Sequence, residues 1–402
     1  MTRSGPVQPQ SESREYLGLG EKFSDFIIVS IQPFTQRNLD RFGATWLLNH
    51  SKRVHLMDLS LIVWGEAAAL DHESDDVEGV FRATGWDKVE SFLRQHGDRS
   101  LVIPHVAPYI AISLFNLTAK YSLSTLYFEP GRGIPTSKSF LKLLASTAEA
   151  LSDPRGLMRR IRNRQGHDEI IIDYFITTGK DPKGRSHTWE RRSRQIIPSH
   201  SYDYVVWQTA KPFISSQPYI VFLDQAYPDH QDFVKILGFN PFTRESYYPR
   251  IESFLRHVSD RFGMPVLIAL HPRSSDAGPK PYQGFQTFLG RTASLVKGAN
   301  LVVAHDSTAV SFAVLGRKPL LLVEVDERSK RPYIGNVTRN VSAILGVPVI
   351  HMSNRTLLPL DKFEVDESKY ARYEASYIRH PACNGIPVWD RVFGRSSECL
   401  SA

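Results

Sequence analysis

The stretch that decides the fold is LVVAHDSTAVSFAVLGRKPLLLVE, residues 301–324. Its first apolar run ends in His305, a helix-like segment follows at 307–316, and a second apolar run begins at residue 319. A helical crossover is what brings two consecutive strands into parallel pairing, so this pattern is typical of a βαβ unit. The stretch therefore predicts an α/β protein with a parallel sheet.

Similar apolar runs recur along the whole chain, separated by polar turns and helical segments such as 247–262. Most of these runs are continuously apolar rather than alternating, which is typical of strands that are buried on both faces of a parallel sheet. The predicted strands are 25–31, 54–64, 99–105, 125–129, 169–177, 203–208, 218–225, 265–271, 301–306, 319–325 and 347–352.

The chain has 402 residues, more than the roughly 100 to 200 of one domain, and a Ser- and Pro-rich segment at 209–218 divides it. We predict two doubly wound, Rossmann-like α/β domains that face each other across a cleft. The predicted parts are a disordered tail at 1–20, an N-terminal domain at 21–208, a C-terminal domain at 218–360, and an extension at 361–402 that packs back on the domains.

The composition argues against a membrane-spanning protein and against an exported one. The apolar runs are too short for a bilayer span, and the first twenty residues lack the apolar core of a signal peptide. Cys383 and Cys399 are the only cysteines, which favours free thiols in a reducing compartment. We expect a cytoplasmic protein, either free or peripheral on the inner face of the membrane.

The net charge of +7 is unevenly distributed, because five arginines fall within the ten residues Arg155–Arg164. This cluster indicates either a solvated helix face or an electrostatic contact with anionic lipid or an acidic glycan. No aromatic residues alternate with these arginines in the manner of a nucleic-acid reader, so we expect no nucleic-acid partner.

The opening stretch also predicts an anion site. His305, Ser307 and Thr308 lie where a strand passes into a helix, and the first N–H groups of a helix carry a partial positive charge. These residues are candidates for binding a nucleotide phosphate. The alternative is that Ser307 or Asp306 only caps the helix.

A second strand ends in IALHPRSS, residues 268–275. If the strands at 265 and 301 are adjacent, His271 and the Ser307–Thr308 turn bind one phosphate from two sides. Imidazole can donate a hydrogen bond or a proton to a phosphate oxygen, Pro272 fixes the backbone direction, and Arg273 adds positive charge.

Three further residues are candidates at strand ends. Asp224 is an alternative general base or a hinge cap, Glu324 is either a ribose acceptor or a solvated carboxylate, and His105 is a candidate contact to the acceptor. Asp75 and Asp76 are better interpreted as a solvated acidic turn than as a metal site. We therefore predict no metal and no cofactor.

The His-Pro pair at 271–272, followed 36 residues later by hydroxyls at 307–308, is similar to a motif pair of bacterial sialyltransferases and polysialyltransferases. These are glycosyltransferases of the two-domain GT-B fold that use CMP-sugars, and related capsule Kdo transferases share part of the pattern. LYFEPGRG at 126–133 resembles the family's acidic-acidic-Gly motif, with Pro130 in the second acidic position. VFLDQAY at 221–227 resembles the segment that opens the family's C-terminal domain.

The resemblance implies roles for individual residues. Glu129 would be the general base for the acceptor hydroxyl, His271 would contact the donor phosphate and act as an acid, and Ser307 with Thr308 would bind that phosphate. It also implies a metal-independent, inverting transfer of a nonulosonic acid, of sialic acid or Kdo type, from CMP.

The acceptor would be a surface glycan or a lipid-linked glycan, in capsule or lipopolysaccharide biosynthesis. Alternatives are a glycerophosphotransferase or a sugar-nucleotide epimerase of the same architecture. A third is a glycan-binding or export component without catalysis.

Overall fold

The protein folds into two parallel sheets flanked by helices. The computed structural model describes residues 16–65, 77–128, 170–180, 188–230, 239–272, 274, 281–305, 307–325, 332–353, 364–383 and 385–394.

The N-terminal sheet has the strand order β3-β2-β1-β4-β5-β6-β7, and all its described neighbours pair in parallel. Its strands are β1 (Asp25–Ser30), β2 (Arg53–Asp58), β3 (Phe81–Arg82), β4 (Ser100–His105), β5 (Ser124–Phe128), β6 (Ile172–Thr177) and β7 (Ser193–Pro198). Its helices are α1 (Leu19–Lys22), α2 (Gln36–Phe42), α3 (Ala44–Asn49), α4 (Ser60–Trp64), α5 (Trp86–Leu93), α6 (Pro108–Lys120) and α7 (Thr188–Arg191).

The C-terminal sheet has the order β10-β9-β8-β11-β12-β13, again with parallel pairing throughout. Its strands are β8 (Ile220–Leu223), β9 (Val266–Leu270), β10 (Gln286–Leu289), β11 (Leu301–Ala304), β12 (Leu320–Glu324) and β13 (Val349–His351). The helices that follow in the chain are α8 (Tyr202–Thr209), α9 (Arg244–Phe262), α10 (Thr292–Gly298), α11 (Val310–Leu315), α12 (Pro332–Leu345), α13 (Glu367–Tyr373) and α14 (Val388–Phe393).

The central strands of both sheets are buried on both faces, which explains their continuously apolar runs. In β1, Phe26 and Ile28 lie in one hydrophobic cluster, whereas Ile27 and Val29 lie in the cluster on the opposite face. The residues of β11 divide between two clusters in the same alternating way. The prediction of two doubly wound, Rossmann-like units is confirmed.

The described residues form two compact units. Residues 201–379 form one unit, and the described residues up to His200 together with those from His380 onward form the other. The division therefore falls just after β7, upstream of the predicted break at 209–218. In the described part of the chain, a further passage between the units lies between Arg379 and His380.

The last helix, α14, belongs to the N-terminal unit. The Phe393 ring packs edge-on against Phe26, with ring centroids 5.6 Å apart. Gly43 has a φ of 84°, and a Cβ there would lie 2.8 Å from the Trp389 ring, so this contact requires glycine. The final helix is thus built into the core of the N-terminal unit.

Several element predictions were wrong. The run 203–208, predicted as a strand, is part of helix α8, because a short apolar run does not distinguish a strand from a buried helix. The predicted strand 54–64 stops at Asp58, whose carboxylate accepts from the Ser60 amide at 2.7 Å and begins α4. The missed strands β3, β7 and β10 are outermost in their sheets, where most exposed positions carry polar residues.

Candidate functional site

Each sheet has one point where the strand order reverses. The reversal lies between β1 and β4 in the N-terminal sheet and between β8 and β11 in the C-terminal sheet. In open parallel sheets, ligands bind outside the carboxyl ends of the strands at such a switch point. The loops that follow β8 and β11 therefore form the first candidate site.

Strand β8 lies between β9 and β11, so the predicted adjacency of the strands at 265 and 301 was wrong. His271 and Ser307 follow strands on the same edge, but these strands are roughly 10 Å apart, or two strand spacings. Asp224 follows β8 directly and occupies the position between them. The sequence did not show this order, because a helical crossover does not specify how many strands it passes.

Asp224 is 5% exposed and accepts four hydrogen bonds. Its Oδ1 accepts from the Tyr282 hydroxyl at 2.5 Å and from the Ala226 amide at 2.8 Å. Its Oδ2 accepts from the His271 amide at 3.4 Å and from the Ser274 hydroxyl at 3.3 Å. Burial raises the pKa of this carboxyl, and the four hydrogen bonds oppose that shift.

A carboxylate has about four acceptor positions, and four protein donors occupy those of Asp224. Asp224 was predicted as an alternative base or a hinge cap; these four bonds hold the loops at the end of its own sheet, and the division between the units lies elsewhere, after His200. Ala226, in the same turn, has a φ of 45°, a left-handed conformation that is costly for a residue with a Cβ. The Asp224 side chain stabilises this turn at the switch point.

Tyr282 is the part of this network that sequence reasoning missed. Its ring is buried and lies edge-on to Tyr248 and Phe222, with centroids 5.3 and 6.0 Å away. Burial raises the pKa of its hydroxyl well above the ordinary value, so the hydroxyl keeps its proton and donates to Asp224. An isolated Tyr within PYQGF carries no signal for such a contact.

His271 is half-buried at the end of β9, and exposed Pro272 follows it. Its carbonyl accepts from the Ser274 amide at 2.8 Å, so the loop turns immediately after the strand. The imidazole lies beside a second imidazole, that of His230, with ring centroids 5.3 Å apart. The edge site thus has two histidines, only one of which was predicted.

His305 is fully buried beneath the edge. Its Nδ1 lies 2.8 Å from the Val323 carbonyl oxygen, which can only accept, so Nδ1 carries the proton. Its Nε2 therefore accepts from the Tyr247 hydroxyl at 2.9 Å, and burial raises the pKa of that hydroxyl well above its usual range. This placement departs from the predicted phosphate contact, because both ring nitrogens are occupied inside the core.

The hydroxyls of Ser307 and Thr308 lie in two different environments. Ser307 is buried, and its Oγ accepts from the Ala309 amide at 3.1 Å within the turn that precedes the helix, so this bond holds the turn and is not a cap of the helix, whose N-cap is Ala309. Thr308 is exposed, and its carbonyl accepts from the Ser311 amide at 3.0 Å. The helix itself begins at Val310, later than the predicted start at 307.

Glu324 ends β12 and forms an ion pair. Arg339 donates to both carboxylate oxygens, with Nε to Oε1 and Nη2 to Oε2 each at 3.0 Å. The carboxylate is buried, whereas the Arg339 side chain is 64% exposed. This pairing differs from both predicted roles of Glu324, a ribose acceptor and a solvated carboxylate.

His105 lies at the switch point of the N-terminal sheet. Its ring stacks on Phe42 at 4.2 Å between centroids, and its Nε2 lies 3.3 Å from the Phe42 carbonyl oxygen. Burial, reinforced by the charge of Arg41, lowers the pKa of His105 to about 3, against the upward effect of that hydrogen bond. The imidazole is therefore neutral at physiological pH, with Nδ1 as its acceptor.

Some predicted residues lie outside the described part of the chain, namely Glu129, Arg273, Asp306 and Arg155–Arg164. Among the residues that are described, no group of three or more His, Cys, Asp or Glu side chains is placed to hold a metal ion. No described helix has both the length and the apolar character needed to cross a membrane.

The fold and the edge site together define the class, a chain of two Rossmann-like α/β units with a polar site at the switch point of the second. No protein-family model and no curated protein matches the sequence.

Solved structures with a similar fold include the glycotransferase of kitacinnamycin, at 12% identity and a TM-score of 0.46 over 88% of this chain and 90% of that chain. The calicheamicin glycosyltransferase CalG4 matches at 14% identity and a TM-score of 0.45, over 88% and 89% of the two chains. MurG of Acinetobacter baumannii matches at 10% identity and a TM-score of 0.43, over 88% and 95%. These values are low, so the matches carry no argument about substrate or mechanism.

Proposed function

We propose that the protein is a glycosyltransferase of the GT-B type that binds a nucleotide sugar at the carboxyl edge of its C-terminal sheet. The observation that carries the proposal is the switch point between β8 and β11. There, Asp224 fixes the loop of His271 on one side, and exposed Thr308 lies on the other. An imidazole and a hydroxyl on two sides of such a crevice suit a phosphate.

The donor is a CMP-linked nonulosonic acid, of sialic acid or Kdo type, and the acceptor is a surface glycan or a lipid-linked glycan. This choice rests on the motif pair of His271-Pro272 and Ser307-Thr308. The sugar is moved in capsule or lipopolysaccharide biosynthesis, in the cytoplasm. A peripheral contact to the inner face of the membrane, if present, is made by the Arg155–Arg164 cluster.

The proposed chemistry takes its residue roles from the resemblance. The acceptor hydroxyl oxygen attacks the anomeric carbon, while the bond between that carbon and the phosphate oxygen breaks. Glu129 takes the proton of the hydroxyl, and His271 donates a proton to the departing phosphate oxygen, which leaves as CMP. Attack from the face opposite the phosphate inverts the anomeric centre, and hydrogen-bond donors stabilise the leaving phosphate without a metal ion.

The N-terminal unit supplies the acceptor side in this proposal. Neutral His105 at the switch point between β1 and β4 offers Nδ1 as an acceptor for a sugar hydroxyl. Because its pKa is about 3, the imidazole recognises the hydroxyl without a change of charge at physiological pH.

The experiment is nucleotide release from CMP-, UDP- and GDP-sugars, with and without oligosaccharide acceptors. We expect release from a CMP-sugar that rises when an acceptor is added, together with a new glycosidic product. An interconverted sugar nucleotide without acceptor would indicate an epimerase, transfer of glycerol phosphate would indicate a glycerophosphotransferase, and binding without nucleotide release would indicate a non-catalytic component. Each of these three results would contradict the proposal.

A further inference from the structure

Two imidazoles meet at the carboxyl edge of the C-terminal sheet. His230 closes the short 3₁₀ turn Tyr227–Asp229 that follows β8, and His271 follows β9. Their ring centroids lie 5.3 Å apart, with an angle of 46° between the ring planes. The motif pair includes only His271, so His230 has no role in the function proposed above.

The turn that carries His230 is firmly held. Asn240 Nδ2 donates to the carbonyl oxygens of Tyr227 at 2.9 Å and Pro228 at 2.7 Å. Arg244 donates to both oxygens of the Asp229 carboxylate, at 2.9 and 2.8 Å. The position of His230 is therefore fixed by contacts on each of the three residues that precede it.

One carboxylate connects the two histidine loops. Asp224 accepts from the Ala226 amide in the loop that leads to His230, and from the amide of His271 itself. A shift of either loop changes the hydrogen bonds of the other. The two imidazoles are thus held as a pair before any ligand binds, which reduces the entropy lost on binding.

Among the described residues near the pair, the carboxylates of Asp224 and Asp229 are both compensated by hydrogen-bond donors. Asp229 is paired with Arg244 and also accepts from the Tyr248 hydroxyl at 3.2 Å, while four donors surround Asp224. Burial raises the pKa of the Tyr248 and Tyr282 hydroxyls, so both are neutral. Two neighbouring imidazoles resist double protonation, and an anion bound between them relieves that repulsion.

We propose that His230 is a second phosphate-binding residue, which together with His271 binds the phosphate of the donor nucleotide and takes up protons as it does so. This inference rests on the proposed function, because it assumes that the donor phosphate binds at this edge. It adds His230 to the site and couples phosphate binding to proton uptake, and the motif pair implies neither.

The experiment is calorimetric titration of the protein with CMP at pH 7.5, in buffers of different ionisation enthalpy, which gives both the affinity and the number of protons taken up. We expect wild-type protein to take up protons. His230→Gln and His271→Gln should each take up fewer and bind CMP about 10-fold more weakly, since a hydrogen bond to a charged group contributes roughly that much.

The matched control is His351→Gln. His351 also ends a strand at this edge, β13, but β13 lies four strands from β9, and its Nδ1 lies 2.7 Å from the Ser353 hydroxyl. We expect this variant to match wild type in affinity and in proton uptake. A loss as large as that of His230→Gln would overturn the proposal, because the effect would not be specific to the pair.

The outcomes distinguish a failure of the proposed role of His230 from a failure of the proposed donor site. If His230→Gln matches wild type while His271→Gln is weakened, the role of His230 is overturned and the donor site stands. If both match wild type, the donor site fails as well. Should His230→Gln not fold, the imidazole resonances of His230 in wild-type protein decide, since no shift toward the protonated form on addition of CMP overturns the proposal.

Discussion

The hydroxyl of Tyr282 donates to the Asp224 carboxylate at 2.5 Å, across 58 residues of sequence. This contact ties the loop before β10 to the end of β8. Because Asp224 also holds the amide of His271, the tyrosine indirectly fixes the loop of the proposed phosphate ligand.

Tyr282→Phe should lower the free energy of unfolding by about 1–3 kcal/mol, because one acceptor position of a buried carboxylate loses its partner. It should also weaken CMP binding, because the His271 loop loses part of its support. Chemical denaturation and calorimetry measure the two effects. Tyr219→Phe is the control, since its buried hydroxyl donates to the Leu295 carbonyl at 2.8 Å in the same unit, away from the edge site. Equal losses of CMP affinity in both variants would contradict this account.

Removing the Ser307 hydroxyl and removing the Thr308 hydroxyl, just before α11, should have different effects on stability and on CMP affinity. Ser307→Ala should cost about 1 kcal/mol of stability, because the Ala309 amide loses its hydrogen-bond acceptor in the turn before the helix. Thr308→Ala should leave stability unchanged and weaken CMP binding about 10-fold, since in the proposed function its exposed hydroxyl donates to the phosphate. Thermal unfolding and calorimetry on both variants test this division, and unchanged CMP affinity in Thr308→Ala would contradict it.

Glu324→Gln should change CMP affinity by less than about threefold. Arg339 occupies both carboxylate oxygens, so the side chain is committed to the ion pair rather than to a ribose. Calorimetric titration with CMP tests this expectation, with Arg339→Gln as the companion variant. If Glu324→Gln binds CMP about 10-fold or more weakly while Arg339→Gln binds normally, the carboxylate contacts the nucleotide.

The stability of the protein should depend on His105 as the pH falls. Its folded pKa of about 3 lies below the ordinary value, so the unfolded chain binds a proton that the folded protein does not. Between about pH 6.5 and pH 4 this group therefore lowers the free energy of unfolding, with a slope that approaches one proton. Denaturation of wild type and His105→Gln at several pH values in this range measures the difference. An advantage of wild type that does not shrink as the pH falls would contradict the neutral, buried imidazole.

Sequence patterns identified the parallel α/β units because buried central strands carry uninterrupted apolar runs, such as residues 26–29 of β1 and all of β11. Edge strands are not, and β10, with mostly exposed residues in Gln286–Leu289, was missed for that reason. The His271-Pro272 pair located the end of β9 in the sequence. It did not show the order of the strands in the sheet. Contacts that depend on this order, above all Asp224 with Tyr282, could not be predicted from residues so far apart in sequence.

His305 illustrates a second limit of the sequence. A histidine after a buried strand can belong to a ligand site or be a core residue with both nitrogens bonded. Only the placement of Tyr247 and the Val323 carbonyl decides between the two. The capping alternative for Ser307 followed from a helix predicted to start at residue 307, but the helix starts at Val310, and the Ser307 hydroxyl instead accepts from the Ala309 amide in the preceding turn.

The most direct test of the central claim is turnover of a CMP-sugar by His271→Ala and Glu129→Gln beside wild type, with and without acceptor. His271→Ala should lose both transfer and acceptor-independent hydrolysis, because both reactions must expel CMP. Glu129→Gln should keep its CMP affinity and lose about 10²- to 10⁴-fold in transfer, the usual effect of removing a general base. If His271→Ala instead binds CMP and releases it at the wild-type rate, the donor phosphate does not bind at this edge, and the account is contradicted.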